Sequence, residues 1–266
     1  MIRIAPYEKL RGVDAPGIRI RDHFRGSPEN AGTPIYGLGA MRVLADTRIA
    51  PQAGFPMHGH REFEIITYVC EGEIAHEDTT GAKGFLRMGD VQAMTTGSGV
   101  MHSEANPGPK PARVYQMWFH AEEAGLPPDY TDLNAPPAPS AGSLTVFASG
   151  APGVDGLIRI RQDAIVSGGD LQRGGSILSS LAPGRRAYVL AVDGPLAINN
   201  AGLPARGGAE ISGVSAIRIA AQDTPSRVLV INIAEKFSVP AACPSRFAFA
   251  SNSLYSLFKT NTFFGY

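Results

Sequence analysis

The stretch FPMHGHREFEIITYVCEGE, residues 55–73, decides how this chain is read. Its second half is rich in β-branched and aromatic residues and ends at a glycine turn, the pattern of a β-strand. Its first half places His58 and His60 one residue apart, in a chain with six histidines. Along a strand, residues i and i+2 project to the same face. The two imidazoles therefore point at one place.

The same alternation of short apolar runs and turns extends in both directions. Residues 39–46, 64–70 and 112–119 (GAMRVLAD, EIITYVC, ARVYQMWF) read as strands, with Gly, Pro, Asp and Thr between them. Residues 126–143 then hold five prolines in 18 positions, so neither a continuous helix nor a central strand can run through them. This segment reads as the link between two domains, 1–133 and 134–266. A weak repeat supports the division: CEGEIAHED (70–78) parallels VDGPLAINN (192–200), each after an apolar run. The copies differ between their glycines, with 18 residues from Gly54 to Gly72 but 10 from Gly184 to Gly194. The segment carrying His58 and His60 is missing from the second copy, and no histidine follows His120.

Composition narrows the possibilities. A chain of 266 residues with 44% hydrophobic side chains can build a large core, and 31 Gly with 21 Pro among short apolar runs favour an all-β fold. Lys+Arg and Asp+Glu balance at 24 each, so no basic surplus announces direct nucleic-acid binding. Two cysteines, Cys70 and Cys243, make neither a disulfide framework nor a zinc cluster. The first residues lack the apolar stretch of a signal peptide, and runs such as VLVINIA (228–234) are too short to span a bilayer. A cytoplasmic protein without membrane contact is expected.

The chemistry concentrates in two pairs. TTGSGVMHSEANP, residues 95–107, holds His102 and Glu104, again one residue apart. Three imidazoles and a carboxylate can thus converge from two antiparallel strands. Such a mixed nitrogen and oxygen donor set suits Fe, Mn, Ni, Cu, Co or Zn. An isolated His-x-His is an ordinary surface feature; its pairing with His-x-Glu makes it specific. The other histidines read as bland: His76, among acids, as a solvated strand face, His23 as structural or exposed, and His120 as packing or capping at a strand end. Cys70, inside an apolar strand, reads as core.

These residues resemble the pirin family of the cupin superfamily. Residues 58–104 match its pattern H-x-H-x-x-x-E, a TYVLEGE-like strand, H-x-D-S-x-G, G-D-x-Q-x-M and G-x-G-x-x-H-S-E nearly throughout. Asn106, VYQMW (114–118) and AEEAGLPPDY (121–130) extend the likeness, which is strong over residues 36–133 and architectural beyond. The resemblance implies a bicupin of two stacked jelly-roll β-barrels with metal in the N-terminal barrel alone. Its ligands carry over to His58, His60, His102 and Glu104, and its usual metal is iron, Fe(II). Three departures stand out: Cys70 replaces an aliphatic residue, Gly59 lies where proline is common, and the tail 245–266 is long and aromatic. The tail is expected to pack back on a barrel or onto a second subunit as a homodimer contact.

Family members that cleave flavonols such as quercetin make a metal-dependent dioxygenase the first expectation, with a flavonol-like aromatic and O2 as partners. Glu104 would both bind metal and take the substrate's hydroxyl proton as catalytic base. Glu64 is a second candidate acid, against the plain reading of a strand-surface charge. Phe55, Met57, Phe63, Met94, Met117 and Trp118 are candidate walls for a flat substrate. Two other readings use the same ligands: an iron or redox sensor acting through a protein partner, as the nuclear namesake of the family implies, and a structural sugar-binding-type cupin with an incidental metal.

Overall fold

The apolar runs of the sequence become strands, and the strands hydrogen-bond into two large and two small sheets. The structure, a computed structural model, describes residues 1–25, 37–139 and 142–237. Cys243 and the aromatic tail lie outside the described residues. Among those described there are 22 strands and one 3-10 turn, Tyr7–Lys9.

The first barrel pairs a seven-stranded sheet with a four-stranded one. The large sheet runs, in spatial order, Asp129–Leu133, Val91–Thr95, Phe63–Glu71, Ala112–His120, Met41–Ile49, Ile18–Arg25 and Arg11–Ala15. The small sheet runs Gly54–His60, Val100–Ala105, Glu73–Asp78 and Lys83–Arg87. The second barrel repeats the plan. Its large sheet runs Ile2–Ala5, Gly208–Ile211, Arg185–Ala191, Ser226–Ala234, Ala164–Leu171, Thr145–Ser149 and Ile158–Arg159. Its small sheet runs Ser176–Ser180, Ala216–Ala220, Leu196–Ile198 and Ala201–Leu203. This is the all-β fold of two cupin-type barrels that the sequence predicts.

Why the central strands read as unbroken apolar runs follows from packing. The two large sheets face each other, so each is covered on both sides. Phe63–Glu71 and Ala112–His120 are buried at every position but the last. Period two then sorts their side chains. Ile66, Tyr68 and Cys70 join Tyr115, Met117 and Phe119 in a core shared with Phe147, Tyr188 and Leu229 of the second barrel. Ile65 and Val69 join Val114 and Trp118 in the core inside the first barrel. A third core, around Val189, Ile198 and Ile219, fills the second barrel. Each such buried aliphatic or aromatic side chain contributes about 1.5–3 kcal/mol.

The first strand departs from chain order. Ile2–Ala5 pairs antiparallel with Gly208–Ile211, at the edge of the second barrel's large sheet. Its alternation explains the placement, because Ile2 and Ile4 pack against that barrel's core.

Polar ties cross between the barrels. Asp46, 1% exposed, accepts from Arg206 Nε at 2.9 Å and Nη2 at 2.8 Å, while Arg113 Nη1 lies 3.4 Å away. Arg113 also donates to Glu71 and, at 2.9 Å, to the Val192 carbonyl of the second barrel. Removing one partner of such a network leaves a buried uncompensated charge. Asp46→Ala should therefore lower the unfolding free energy by about 3–5 kcal/mol, read by denaturant titration. A midpoint equal to the parent's would show that these ions do not tie the barrels.

Candidate metal centre

The strand Gly54–His60 contains a proline, which cannot donate to a ladder. The register shows how this is absorbed: His102 pairs with His58, but Glu104 pairs with Phe55, so one extra residue bulges out of the first strand. Pro56 and Met57 occupy the bulge, and Met57 is left 47% exposed. Beyond the bulge, Phe55, His58 and His60 all turn toward the barrel interior, opposite the inward His102 and Glu104. Gly59 lies within the strand rather than in a turn. A Cβ there would meet nothing nearer than the Val100 carbonyl oxygen at 3.8 Å, so glycine is not demanded.

Three imidazoles meet. Ring centroids lie 4.8 Å apart for His58 and His60, 4.4 Å for His58 and His102, and 4.9 Å for His60 and His102. One ligand atom from each falls within 4.8 Å of the others. His58 Nδ1 lies 2.8 Å from the Pro56 carbonyl oxygen, which can only accept. The proton therefore sits on Nδ1 and the lone pair on Nε2. Burial, with His58 beside it, holds His60 down to about 3, and burial with the neighbouring histidines holds His102 well below the usual range. Both rings are thus neutral at pH 7. His60 Nε2 and both nitrogens of His102 are buried without a hydrogen-bond partner. Bare, neutral, convergent imidazole nitrogens fit a transition-metal ion.

Glu104 stands differently. Its carboxylate, 4% exposed, accepts from Gln92 Nε2 at 3.0 Å on one oxygen and from Gln116 Nε2 at 2.8 Å on the other. Those amides are themselves held: Tyr130 Oη donates to Gln92 Oε1 at 3.0 Å and Trp118 Nε1 to Gln116 Oε1 at 2.9 Å. Gly84 makes room for this, because a Cβ there would strike the Tyr130 hydroxyl. Glu104 groups within 4.8 Å with His102 and His76, not with all three of the expected histidines.

Several expectations change. His76 is not on a solvated face. It is 1% exposed, it faces the site, and its ring centroid lies 5.3 Å from that of His102. Ile74, His76 and Asp78 share an inward face, a period-two signal that the surrounding acids mask in the sequence. Glu64 is neither near the ligands nor on the surface. It lies on the opposite face of its strand from Phe63 and Ile65, 1% exposed, and accepts from Thr95 Oγ1 and the Arg161 backbone N–H of the second barrel, each at 3.1 Å. Met117 faces the second barrel, while Phe55, Phe63, Met94 and Trp118 fill the interior of the first. His23 packs between the barrels, with Nδ1 3.1 Å from Tyr188 Oη. His120 stacks on Phe63 and Phe237, with centroids at 5.1 and 5.8 Å. Burial pushes the Cys70 thiol up to about 12, so it is inert core. Asn106 is fully buried and pins a turn through Ile49 O, Lys110 O and Gly108 N. Gln92 and Gln116, which the sequence reading did not single out, supply the hydrogen bonds that fix Glu104.

Comparisons with known proteins find relatives along most of the chain. The Pirin family profile matches residues 31–119, and that of the quercetinase C-terminal cupin domain matches residues 146–233. A pirin-like protein of Caulobacter vibrioides is 36% identical over 234 residues, covering 86% of this chain and 99% of its own. A quercetin 2,3-dioxygenase of Escherichia coli K12 is 32% identical over 198 residues, covering 74% of this chain and 84% of its own. A bacterial pirin of Escherichia coli, solved in complex with nickel(II), superposes with a TM-score of 0.79 at 27% identity, over 88% of this chain and 99% of that one. No helix among the described residues is long and apolar enough to cross a membrane.

Burial raises the Glu64 carboxyl from 4.5 to about 7, against the hydrogen bonds from Arg161 and Thr95. The folded state then holds this proton more tightly than the unfolded chain, so its contribution to stability falls as pH rises from about 4.5 to about 7. Glu64→Gln should match the parent near pH 4 and exceed it near pH 8 by on the order of 3 kcal/mol, measured as unfolding free energy. Parallel pH profiles for the two proteins would contradict the assignment.

Proposed function

The chain belongs to the pirin family, and from that premise we propose that it is a metal-dependent dioxygenase that opens a flavonol-like aromatic with O2. The observation that carries this reading is the convergence of three imidazoles, two of them (His60 and His102) with buried unpartnered nitrogens, beside a carboxylate held by two amides. His58, His60, His102 and Glu104 would hold the ion. We take it to be Fe(II), though Ni, Cu, Mn, Co and Zn suit the same donors; the nickel in the related Escherichia coli structure is in keeping with that latitude. When bound, a divalent transition metal supplies Lewis acidity to a substrate hydroxyl and a route for electrons to O2.

The remaining work falls to the protein. A flavonol reacts with O2 as its anion, so the hydroxyl proton must leave first. Glu104 is the proton acceptor: each of its oxygens gives one lone pair to an amide and keeps another. Gln92 and Gln116 fix the direction of that acceptor, and Tyr130 and Trp118 fix the glutamines. On the inner side of Glu104, between Thr67, Ile74 and Val114, the cavity measures about 10 Å3, room for one water at most. A flat polycyclic substrate therefore approaches from the side of His58 and His60. Apolar Phe55, Phe63 and Trp118 keep bulk water from the ligands. The buried free Cys70 accords with a cytoplasmic setting.

Oxygen uptake by the metal-loaded full chain across a flavonol panel tests this. Glu104→Gln should lower kcat/KM by about 10²–10⁴-fold, and His58→Ala should abolish metal-dependent turnover. No uptake with any flavonol, at any of the metals named, sinks the reading.

A further inference from the structure

The two strands that wall the site on the His60 side end together: Phe63 opens one, His120 closes the other, and the two pair in register. From His60 to that end the rings form a continuous series. Trp118 meets the His60 imidazole at 4.6 Å between centroids, Phe63 meets Trp118 at 5.8 Å, and His120 stacks on Phe63 at 5.1 Å and 22°. The next ring comes from the other barrel: Phe237 stacks on His120 at 5.8 Å and 13°. Phe237 lies three residues beyond Ser226–Ala234, a central strand of the second barrel's large sheet. It packs against the core that the barrels share, and the Arg42 guanidinium carbon lies 5.0 Å from its ring centre.

The members of the series have little freedom of their own. Trp118 Nε1 donates to Gln116 Oε1, and the Phe63 backbone is bonded both ways by Thr96 Oγ1, at 2.8 and 3.0 Å. The second barrel also grips the strand ends: Gln162 Nε2 donates to the His120 carbonyl at 2.7 Å, and the Arg161 N–H donates to Glu64. In a close-packed interior, removing the ring at one end of such a series frees the next to turn.

We propose that Phe237 is a positioning residue of the metal site. Through His120 and Phe63, the second barrel holds Trp118 against His60 and sets the wall that a flavonol-like ring meets. This rests on the function proposed above and deepens it. The second barrel, which carries no histidine, thereby takes part in substrate recognition.

Trp118 is the chain's one tryptophan, so its emission reports on this wall in the metal-free full chain. Phe237→Ala should shift that emission to longer wavelength and raise its quenching by acrylamide. In flavonol turnover by the metal-loaded chain it should raise KM by about 2–30-fold, with kcat held within about twofold. Phe237→Tyr, which keeps the ring, should keep the parent values. His120→Leu should reproduce the changes from the first barrel, and adding Phe237→Ala to it should change little more. Ile219→Val, which thins the second barrel's own core, should leave emission and KM as in the parent. Parent-like emission or KM in Phe237→Ala, additive effects in the double variant, or the same shift in Ile219→Val overturns the proposal. Should Phe237→Ala not fold, Phe237→Leu, which keeps apolar bulk without the ring, takes its place in every comparison. Ni(II) bound beside His60 should quench Trp118 in the wild type; no quenching would instead remove the metal centre, and the emission results would stand without it.

Discussion

The structure depends on strands covered on both faces. Once the two large sheets stack, every side chain on their central strands must go either to the shared core or into its own barrel, and period two decides which. Gln116 and Trp118 turn inward to the site, while Tyr115 and Met117 turn outward to the second barrel. A slip of one residue would exchange these sets and strip Glu104 of the Gln116 amide, one of its two donors. The site is thus specified by the register of the core.

Electrostatics inside the barrel follows from the same burial. Desolvation keeps His60 and His102 neutral, which is the ligand form of imidazole. Glu104, in the same interior, accepts hydrogen bonds from two side-chain amides. On the other face of the large sheet Glu64 also accepts two hydrogen bonds and feels the Arg161 charge, yet burial outweighs them and raises its carboxyl to about 7. Two glutamates from different sheets of one barrel thus meet different partners, Glu104 two side-chain amides and Glu64 the Thr95 hydroxyl and the Arg161 backbone N–H.

Much of this was legible in the sequence. The His-x-His and His-x-Glu spacings placed four donors on facing strands, and the shorter second copy placed them in one barrel. What misled was parity and polarity. Glu64 reads as an acid near the ligands because it is four residues from His60, yet the intervening turn at residues 61–62 and strand alternation put it on the far face. His76 reads as solvated because Glu77 and Asp78 follow it, yet Asp78 turns inward with it and hydrogen-bonds its ring. Met117 is indistinguishable from Trp118 as a pocket wall until the second barrel is seen to need a side chain there. Such distinctions depend on which sheet covers which, and composition does not carry that information.

The opening strand has a consequence for how the chain is made. Ile2–Ala5 finds its partners at Gly208–Ile211, more than two hundred residues downstream. At a synthesis rate of about 5–20 residues per second, roughly 10–40 s pass before those partners emerge. Throughout that interval an alternating apolar segment with unpaired backbone groups must avoid every other sheet edge. The other strands of the second barrel emerge after those of the first, and that barrel closes on a strand made before either set. The two barrels are therefore laced rather than strung together: a cut at the proline-rich link would separate the second barrel from one of its own strands.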